Sequence, residues 1–239
     1  MTTRVIWAGL AAVAVSVAVS VAVAGVQPGR LVQSTEAVST EVPVLLVPGW
    51  VDTARDLAPL RIRLIAAGWP SDAVDAITFA TPTGSNRDHA NEIDAAVRDL
   101  LKRTGAERVD IVAHSMGGLG TRWYLLRYGA ASVRRAVFIA SPHRGTYSAL
   151  LAWGEGGAEM KPESAFMDAL NAAPPVPAGV DAITIWTPID THIIPGESAV
   201  LPGVPDFRVC CPTHPGMLRD AEVFRIVRRF LDVGYEGRP

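Results

Sequence analysis

A serine at position 115 lies between a predicted buried strand and a predicted helix. Around it the chain reads Ala113-His114-Ser115-Met116-Gly117-Gly118. Small residues two positions before and after the serine suit a sharp, strained strand-to-helix turn, across which larger side chains would collide. The helix N-terminus that follows favours developing negative charge. The pattern therefore predicts a nucleophilic serine, and the alternative is a serine that merely caps the helix.

A serine is a poor nucleophile unless a base takes its proton and an acid holds that base. On this kind of turn the partners follow in the order Ser, Asp or Glu, His. Asp190 comes after a predicted strand over 182–186, and His214 comes after the next one, over 207–211. Because both follow the carboxyl ends of strands, where sites of open α/β sheets form, we predict Asp190 as the acid and His214 as the base.

The remaining histidines have other interpretations. We expect His114 to pack beside the serine, His89 to be exposed, and His192 to be too close to Asp190 to orient on it. His143 also follows a strand and is the alternative base. Among the acids, Asp206 precedes its strand and should lie at the opposite edge. Since no histidines recur at helical ligand spacing, we predict neither a metal site nor a cofactor.

An oxyanion formed during acyl transfer needs two backbone N–H donors aimed at one point. We predict the N–H of Met116, directly after the serine, as one donor. The loop after the first strand supplies the other, the N–H of Trp50, because Pro48 has no N–H and Gly49 lets the backbone approach closely. The alternative for Trp50 is an ordinary packing role.

The elements that carry these residues alternate along the chain. Strands are predicted over 42–47, 76–79, 109–113, 135–140, 182–186 and 207–211, and helices over 54–67, around 93–101 with Gly105 as the C-cap, 116–128 and 217–231. This alternation predicts an α/β fold, a mostly parallel sheet of about six strands with helices on both faces. We assign residues 42–239 to one such catalytic domain.

The N-terminal segment has the features of a targeting sequence. After Arg4 the residues 5–26 carry no charge and are almost entirely Ala and Val, and Ala22-Val23-Ala24 fits an A-x-A cleavage site. We predict a signal peptide over 1–24, a tether over 25–41 and a secreted mature protein. The alternative is an anchor in the cell membrane over 5–26, since about 20 apolar residues can span a bilayer.

Composition excludes several classes of protein. The 22 Lys+Arg and 24 Asp+Glu residues are balanced, which argues against nucleic acid as a partner. A hydrophobic content of 49% argues against disorder, and two cysteines are too few for a disulfide-stapled miniprotein. Cys210 and Cys211 are predicted on a buried strand. A bond between neighbours is strained, so reduced thiols and pairing with another chain stay open.

Three segments carry a resemblance to a known family. Residues 109–118 resemble the elbow of small secreted bacterial triacylglycerol lipases (class 2 type) of the α/β-hydrolase superfamily, in which alanine commonly replaces the first glycine. Residues 141–146 are similar to a T-P-H-x-G-T segment of actinobacterial members, and residues 160–171 resemble a segment before their penultimate strand. The resemblance runs from about residue 42 to residue 231 and implies a minimal α/β-hydrolase fold.

The resemblance implies Ser115 as nucleophile, Asp190 as acid, His214 as base, and Trp50 and Met116 as oxyanion donors. Two positions depart from the family pattern: Pro48 replaces the histidine of the first-strand H-G turn, and Pro215 follows the base.

The expected activity is hydrolysis of carboxylic esters of lipids through an acyl-enzyme, with the substrate free or at a lipid–water interface. Membrane contact is expected only through an uncleaved N-terminal segment. A short-chain esterase, thioesterase or acyltransferase would use the same triad, and a non-catalytic binding protein of this fold is a further alternative. Residues 146–178 are long enough for a lid or an acyl pocket, or for ordinary helix packing.

Overall fold

The computed structural model describes residues 42–234. The predicted signal peptide or anchor and the whole of the predicted tether lie outside these residues. Six strands are present: β1 Val44–Val47, β2 Val74–Ala76, β3 Val109–His114, β4 Val133–Ile139, β5 Asp181–Trp186 and β6 Asp206–Arg208. The helices are α1 Ala58–Ala66, α2 Asn86–Thr104, α3 Gly117–Tyr124, α4 Gly154–Glu159, α5 Ala165–Asn171 and α6 Ala221–Val233.

The six strands form one parallel sheet in the order β2-β1-β3-β4-β5-β6. The chain adds β2 on one side of β1 and β3 to β6 on the other, so the direction of winding reverses between β1 and β3. Loops that leave these two neighbouring strands separate there and open a crevice at their carboxyl ends. The predicted nucleophile and oxyanion loop both belong to this crevice.

Two apolar layers cover the sheet, one on each face. On one face the core includes Ile93, Val97 and Leu100 of α2 with Leu119 of α3. On the other it includes side chains of α1 and α6, such as Leu64 of α1. Strands covered on both faces tend to have continuous apolar sequences, which is why the sequence predicts β1 well. The α/β fold with helices on both faces is therefore confirmed.

Several element boundaries differ from those predicted. The second strand lies at Val74–Ala76, before the predicted 76–79, and β6 ends at Arg208 because the chain leaves the sheet after Val209 N–H donates to the carbonyl of Trp186. The predicted last helix is divided into a 3₁₀ turn, Pro215–Leu218, and α6. Asp220 causes the division, since its carboxylate accepts the N–H groups of Glu222 and Val223 as an N-cap.

The predicted end of α2 is confirmed. Gly105 adopts φ 71° and its N–H donates to the carbonyl of Leu101, as a left-handed C-cap does. The predicted helix 116–128 is α3 followed by a wider helical turn, Leu125–Gly129. Within residues 42–234 no helix has both the length and the apolarity that crossing a bilayer requires.

Candidate active site

Ser115 occupies the sharp turn between β3 and α3, with φ 53°. A non-glycine residue in the left-handed region is strained, and such strain is concentrated at functional turns. The structure gives a specific reason why position 117 must be glycine. A Cβ at this position would fall on the carbonyl group of Pro48, in the loop after β1. The turn is therefore packed directly against the loop that carries Trp50.

Asp190 and His214 form a hydrogen-bonded pair. Each lies in the loop after its strand, β5 or β6, and His214 Nδ1 is 2.8 Å from Asp190 Oδ2. The other carboxylate oxygen, Oδ1, accepts the backbone N–H groups of His192 and Ile193 at 2.8 and 2.9 Å. Both oxygens of Asp190 are thus engaged, which fixes the plane of the carboxylate and the orientation of the imidazole.

The surroundings change the pKa of both groups. The pKa of His214 is lowered, chiefly because the ring is buried. The hydrogen bond to Asp190 acts in the opposite direction, and the neighbouring His114 and His192 lower the pKa further. Burial opposes ionisation of Asp190. The bond and charge of His214, together with the two backbone N–H groups, nevertheless hold the pKa of this carboxyl below its ordinary value. The pair therefore consists of an ionised acid and a neutral base at neutral pH.

Ser115 and His214 line the same cavity, of about 320 Å³. Both are largely buried, with exposed fractions of 7% and 5%. Trp50 also lines this cavity, as do Leu151, Trp153 and Met160 from the segment after β4. The structure thus brings four of the five predicted site residues together: Asp190 bonds to His214, and Ser115, His214 and Trp50 face one space.

Met116, the fifth predicted residue, is the N-cap of α3. Its N–H belongs to the first turn, where N–H groups have no acceptor within the helix. The Trp50 side chain packs edge-on against Trp153 with ring centroids 4.3 Å apart, and its Nε1 donates to the Trp153 carbonyl. A Cβ on Gly49 would lie 2.8 Å from Ser115 Cβ. Only glycine lets this loop reach the serine so closely.

Of the other histidines, His89 contradicts its prediction, His143 is not placed as a base, and His192 contacts the site in another way than through Asp190. His89 is not exposed: its ring is buried, stacks on Phe79 at 3.8 Å and lies 2.9 Å from the carbonyl of Thr81. His143 is fully buried and lies outside the cavity lining, packed edge-on against Phe138. His192 does contact the site, since its ring stacks on His214 with centroids 4.6 Å apart.

Asp206 is the first residue of β6, at the edge of the sheet opposite the cavity, and its carboxylate accepts the indole N–H of Trp186. It therefore does not contact His214. Cys210 and Cys211 pair with each other as a disulfide. The prediction that they lie on a buried strand was wrong, because β6 ends at Arg208 and the two residues belong to the loop that leads to His214.

The segment after β4 has two parts. Tyr147–Leu151 forms a 3₁₀ turn that contributes Ala149 and Leu151 to the cavity, whereas α5 buries Phe166, Met167 and Leu170 in the core. The first half of this segment thus lines the cavity, and the second half packs into the core. Among the described residues, the group with metal-ligand potential is Asp190, His192 and His214, and two of its members already bond to each other.

Sequence reasoning missed one pair in the site, Asp52 and His114. His114 Nδ1 lies 3.2 Å from Asp52 Oδ2, and the His114 ring contacts that of His214 at 4.7 Å between centroids. The sequence predicts packing at position 114 because side chains next to each other on a turn diverge. The available signal was Asp52 itself, a carboxylate two residues beyond Trp50 in an otherwise apolar loop, which needs a polar partner.

Comparison with known proteins gives one family. A family model described as alpha/beta hydrolase fold matches residues 43–164, just over half of the 239 residues. This match includes β1 to β4, the loop with Trp50 and the turn with Ser115.

Solved structures of similar fold include lipases and an esterase. Aspergillus fumigatus lipase B has a TM-score of 0.68 at 19% identity, with 80% of this chain and 52% of that one covered, so this chain spans about half the fungal lipase. Bacillus licheniformis lipase BlEst2 in its mature form has a TM-score of 0.68 at 14% identity, and the match covers 82% of this chain and 94% of that lipase. The metagenomic carboxyl esterase MGS0156 has a TM-score of 0.63 at 15% identity, and the match covers 80% of this chain and 76% of that esterase. At these identities the likeness concerns the fold.

Proposed function

Since the chain belongs to the α/β hydrolase fold family, we propose that it is a serine hydrolase that cleaves carboxylic esters through an acyl-enzyme. One observation carries the proposal. His214, bonded at 2.8 Å to Asp190, lines one cavity with Ser115, which is held on a strained turn at the start of α3. These are the parts that activate a serine: a base, an acid that orients it and a positioned hydroxyl.

In the proposed reaction His214 Nε2 takes the proton of Ser115 while Oγ attacks the ester carbonyl carbon. The N–H groups of Met116 and Trp50 donate to the oxygen that becomes negative. Asp190 stabilises the imidazolium that forms and remains ionised. The imidazolium then gives its proton to the leaving alcohol as the C–O bond breaks. Water, deprotonated by His214, attacks the acyl-enzyme in the same way and releases the acid.

Lipid esters are the substrate class we favour, because large apolar side chains are exposed around the cavity. Val51, Leu151 and Trp153 line it and are 46%, 89% and 64% exposed, and Tyr147 and Leu150 are exposed beside them. Exposed apolar side chains grouped around a cavity favour contact with a lipid surface or an acyl chain. The finer proposal is therefore a triacylglycerol lipase of secreted type, with its N-terminal segment removed or retained as an anchor.

Hydrolysis of p-nitrophenyl esters from acetate to palmitate tests the proposal, with the protein beside its Ser115→Ala variant. We expect serine-dependent turnover with a rate maximum at long acyl chains. A maximum at acetate or butyrate would replace the lipase by a short-chain esterase. Turnover that is equal in the Ser115→Ala variant would overturn the proposed function altogether.

Changing the acyl donor and the acyl acceptor in turn distinguishes the other activities that the same triad could have. Thioester analogues of the best acyl chain test a thioesterase, and added alcohols that divert the acyl group from water test an acyltransferase. We expect oxygen esters and water to be preferred. Absence of turnover on every ester, with no covalent labelling of Ser115 by a phosphonate ester, is the result that a non-catalytic binding protein would give.

A further inference from the structure

The loop after β1 and the turn after β3 are joined by one polar contact. Asp52 lies two residues after Trp50, and His114 lies immediately before Ser115. Their side chains meet at 3.2 Å between Oδ2 and Nδ1. The imidazole is 98% buried and the carboxylate about seven-tenths buried, so the contact is largely shielded from water. It links the two segments that would supply the two oxyanion donors.

The loop that Asp52 ends is not in a relaxed conformation. Val51 has φ 58°, which is costly for a β-branched residue, and the Asp52 N–H donates to the carbonyl of Gly49 at 3.3 Å to close a tight turn. Such a backbone persists only where the surrounding structure holds it. The Asp52 carboxylate is also close to Gly49, since a Cβ there would lie 2.9 Å from Oδ2.

We propose that Asp52 and His114 are a positioning pair, which holds the loop of Trp50 against the turn of Ser115 so that the Trp50 and Met116 N–H groups converge on one point. The inference rests on the proposed function, because an oxyanion forms only if Ser115 attacks a carbonyl. Because a carboxylate can only accept, Nδ1–H of His114 is the donor in this contact, and the other ring nitrogen is Nε2. That atom is buried and has no hydrogen-bond partner among the described residues, so the contact to Asp52 is the bond that orients the ring.

A different role for the pair would be electrostatic. The His114 ring lies 4.7 Å from the His214 ring, and the groups that face it are Asp52 from the loop after β1 and His214 from the loop after β6. Removing the charge of Asp52 would then change the protonation of the base. The two roles predict different outcomes, since positioning requires an acceptor oxygen at Asp52 and an electrostatic effect requires its charge.

Two pairs of variants distinguish the roles. Asp52→Asn keeps an acceptor oxygen and Asp52→Ala removes it; His114→Asn keeps an N–H donor where Nδ1 lies and His114→Ala removes it. We expect the two alanine variants to lose about ten- to a hundredfold in kcat and equally in kcat/KM, less than the roughly 10²–10³ that loss of a whole oxyanion donor costs. The two asparagine variants should stay within about threefold of the parent, with the acid limb of the pH profile in place.

Asp75→Ala is the matched control, since it also removes an aspartate that pairs with a basic side chain, in this case Arg103 at 2.7 Å, but away from the cavity. Parental kcat in Asp52→Ala or His114→Ala would overturn the inference. So would an Asp52→Asn variant as impaired as Asp52→Ala with a shifted acid limb, because charge would then be what matters. If the two alanine variants keep the parental kcat while Ser115→Ala is inactive, the proposed function stands and only the proposal of a positioning pair fails.

Discussion

His214 lies between two other imidazoles, His114 at 4.7 Å and His192 at 4.6 Å between ring centroids. Positive charge on either neighbour opposes protonation of His214, and burial opposes it more strongly, so the pKa of this base lies below its ordinary value of about 6.5. The free value alone would place the loss of activity at about pH 6–7. Because the surroundings lower the His214 pKa, we expect the loss of activity at a lower pH than this.

The pH profile of kcat/KM tests this residue-scale claim. Because the base acts in its neutral form, activity should rise with pH through the His214 pKa and be lost as pH falls below it. We expect the midpoint below about 6.5. In His192→Gln, which removes an imidazole that lowers the His214 pKa, the midpoint should move upward. A midpoint above that ordinary value in the parent protein would contradict the described surroundings of His214.

Gly49 provides a second test at the residue scale. In Gly49→Ala the new Cβ would lie 2.8 Å from Ser115 Cβ and 2.9 Å from Asp52 Oδ2. Neither atom can retreat without moving the serine or breaking the contact to His114, so we expect kcat/KM to fall about a hundredfold, as for a lost oxyanion donor. Gly179→Ala is the control, since this glycine has positive φ but a Cβ there would meet no atom within 4 Å. Gly49 itself is not among the glycines with positive φ, so equal effects of both changes would show that the close approach to Ser115 and Asp52 is not what matters.

At the scale of elements, the segment that rims the cavity is attached to α2 through one carboxylate. Glu159, the last residue of α4, is buried and accepts hydrogen bonds at the helix N-terminus of α2, from Ser85 Oγ, the Asn86 N–H, Asn86 Nδ2 and Arg87 Nη1, at 2.6 to 3.1 Å. A buried carboxylate with four donors is satisfied, and its charge suits the positive end of the helix.

Removing that charge should loosen the attachment. We expect Glu159→Gln to lower the free energy of unfolding by about 2–4 kcal/mol, because donors that lose a buried carboxylate are left poorly paired. Urea unfolding followed by circular dichroism measures it. Glu222→Gln removes an exposed carboxylate paired with Arg225 and should leave the unfolding midpoint unchanged. Equal midpoints for the two variants would refute the attachment.

Which elements can be predicted from the sequence depends on how local their signals are. β1 and β3 are buried on both faces and α2 has a glycine C-cap, so each carries its own pattern. The predicted β6 is too long because the apolar run continues to Cys211 while the chain has already left the sheet. The prediction for His89 was wrong because its burial depends on Phe79, at the other end of a turn that has no periodic pattern.

At the scale of the whole molecule, the site depends on the order of strands in the sheet. Ser115, Asp190 and His214 follow β3, β5 and β6, and parallel strands bring their carboxyl ends to one edge. That rule is enough to predict Asp190 and His214 from their places in the chain. It does not predict the contact between Asp52 and His114, which joins two loops 62 residues apart and depends on β1 and β3 being neighbours.

Covalent labelling by a phosphonate ester, with the labelled peptide located by mass spectrometry, tests the central claim most directly. The label forms only on a serine whose proton can be taken. We therefore predict one label per chain, on Ser115, and a labelling rate that falls about a thousandfold in His214→Ala, within the range that a general base contributes. A label on another residue, or an unchanged rate in His214→Ala, would contradict the account of Ser115 activated by His214 and Asp190.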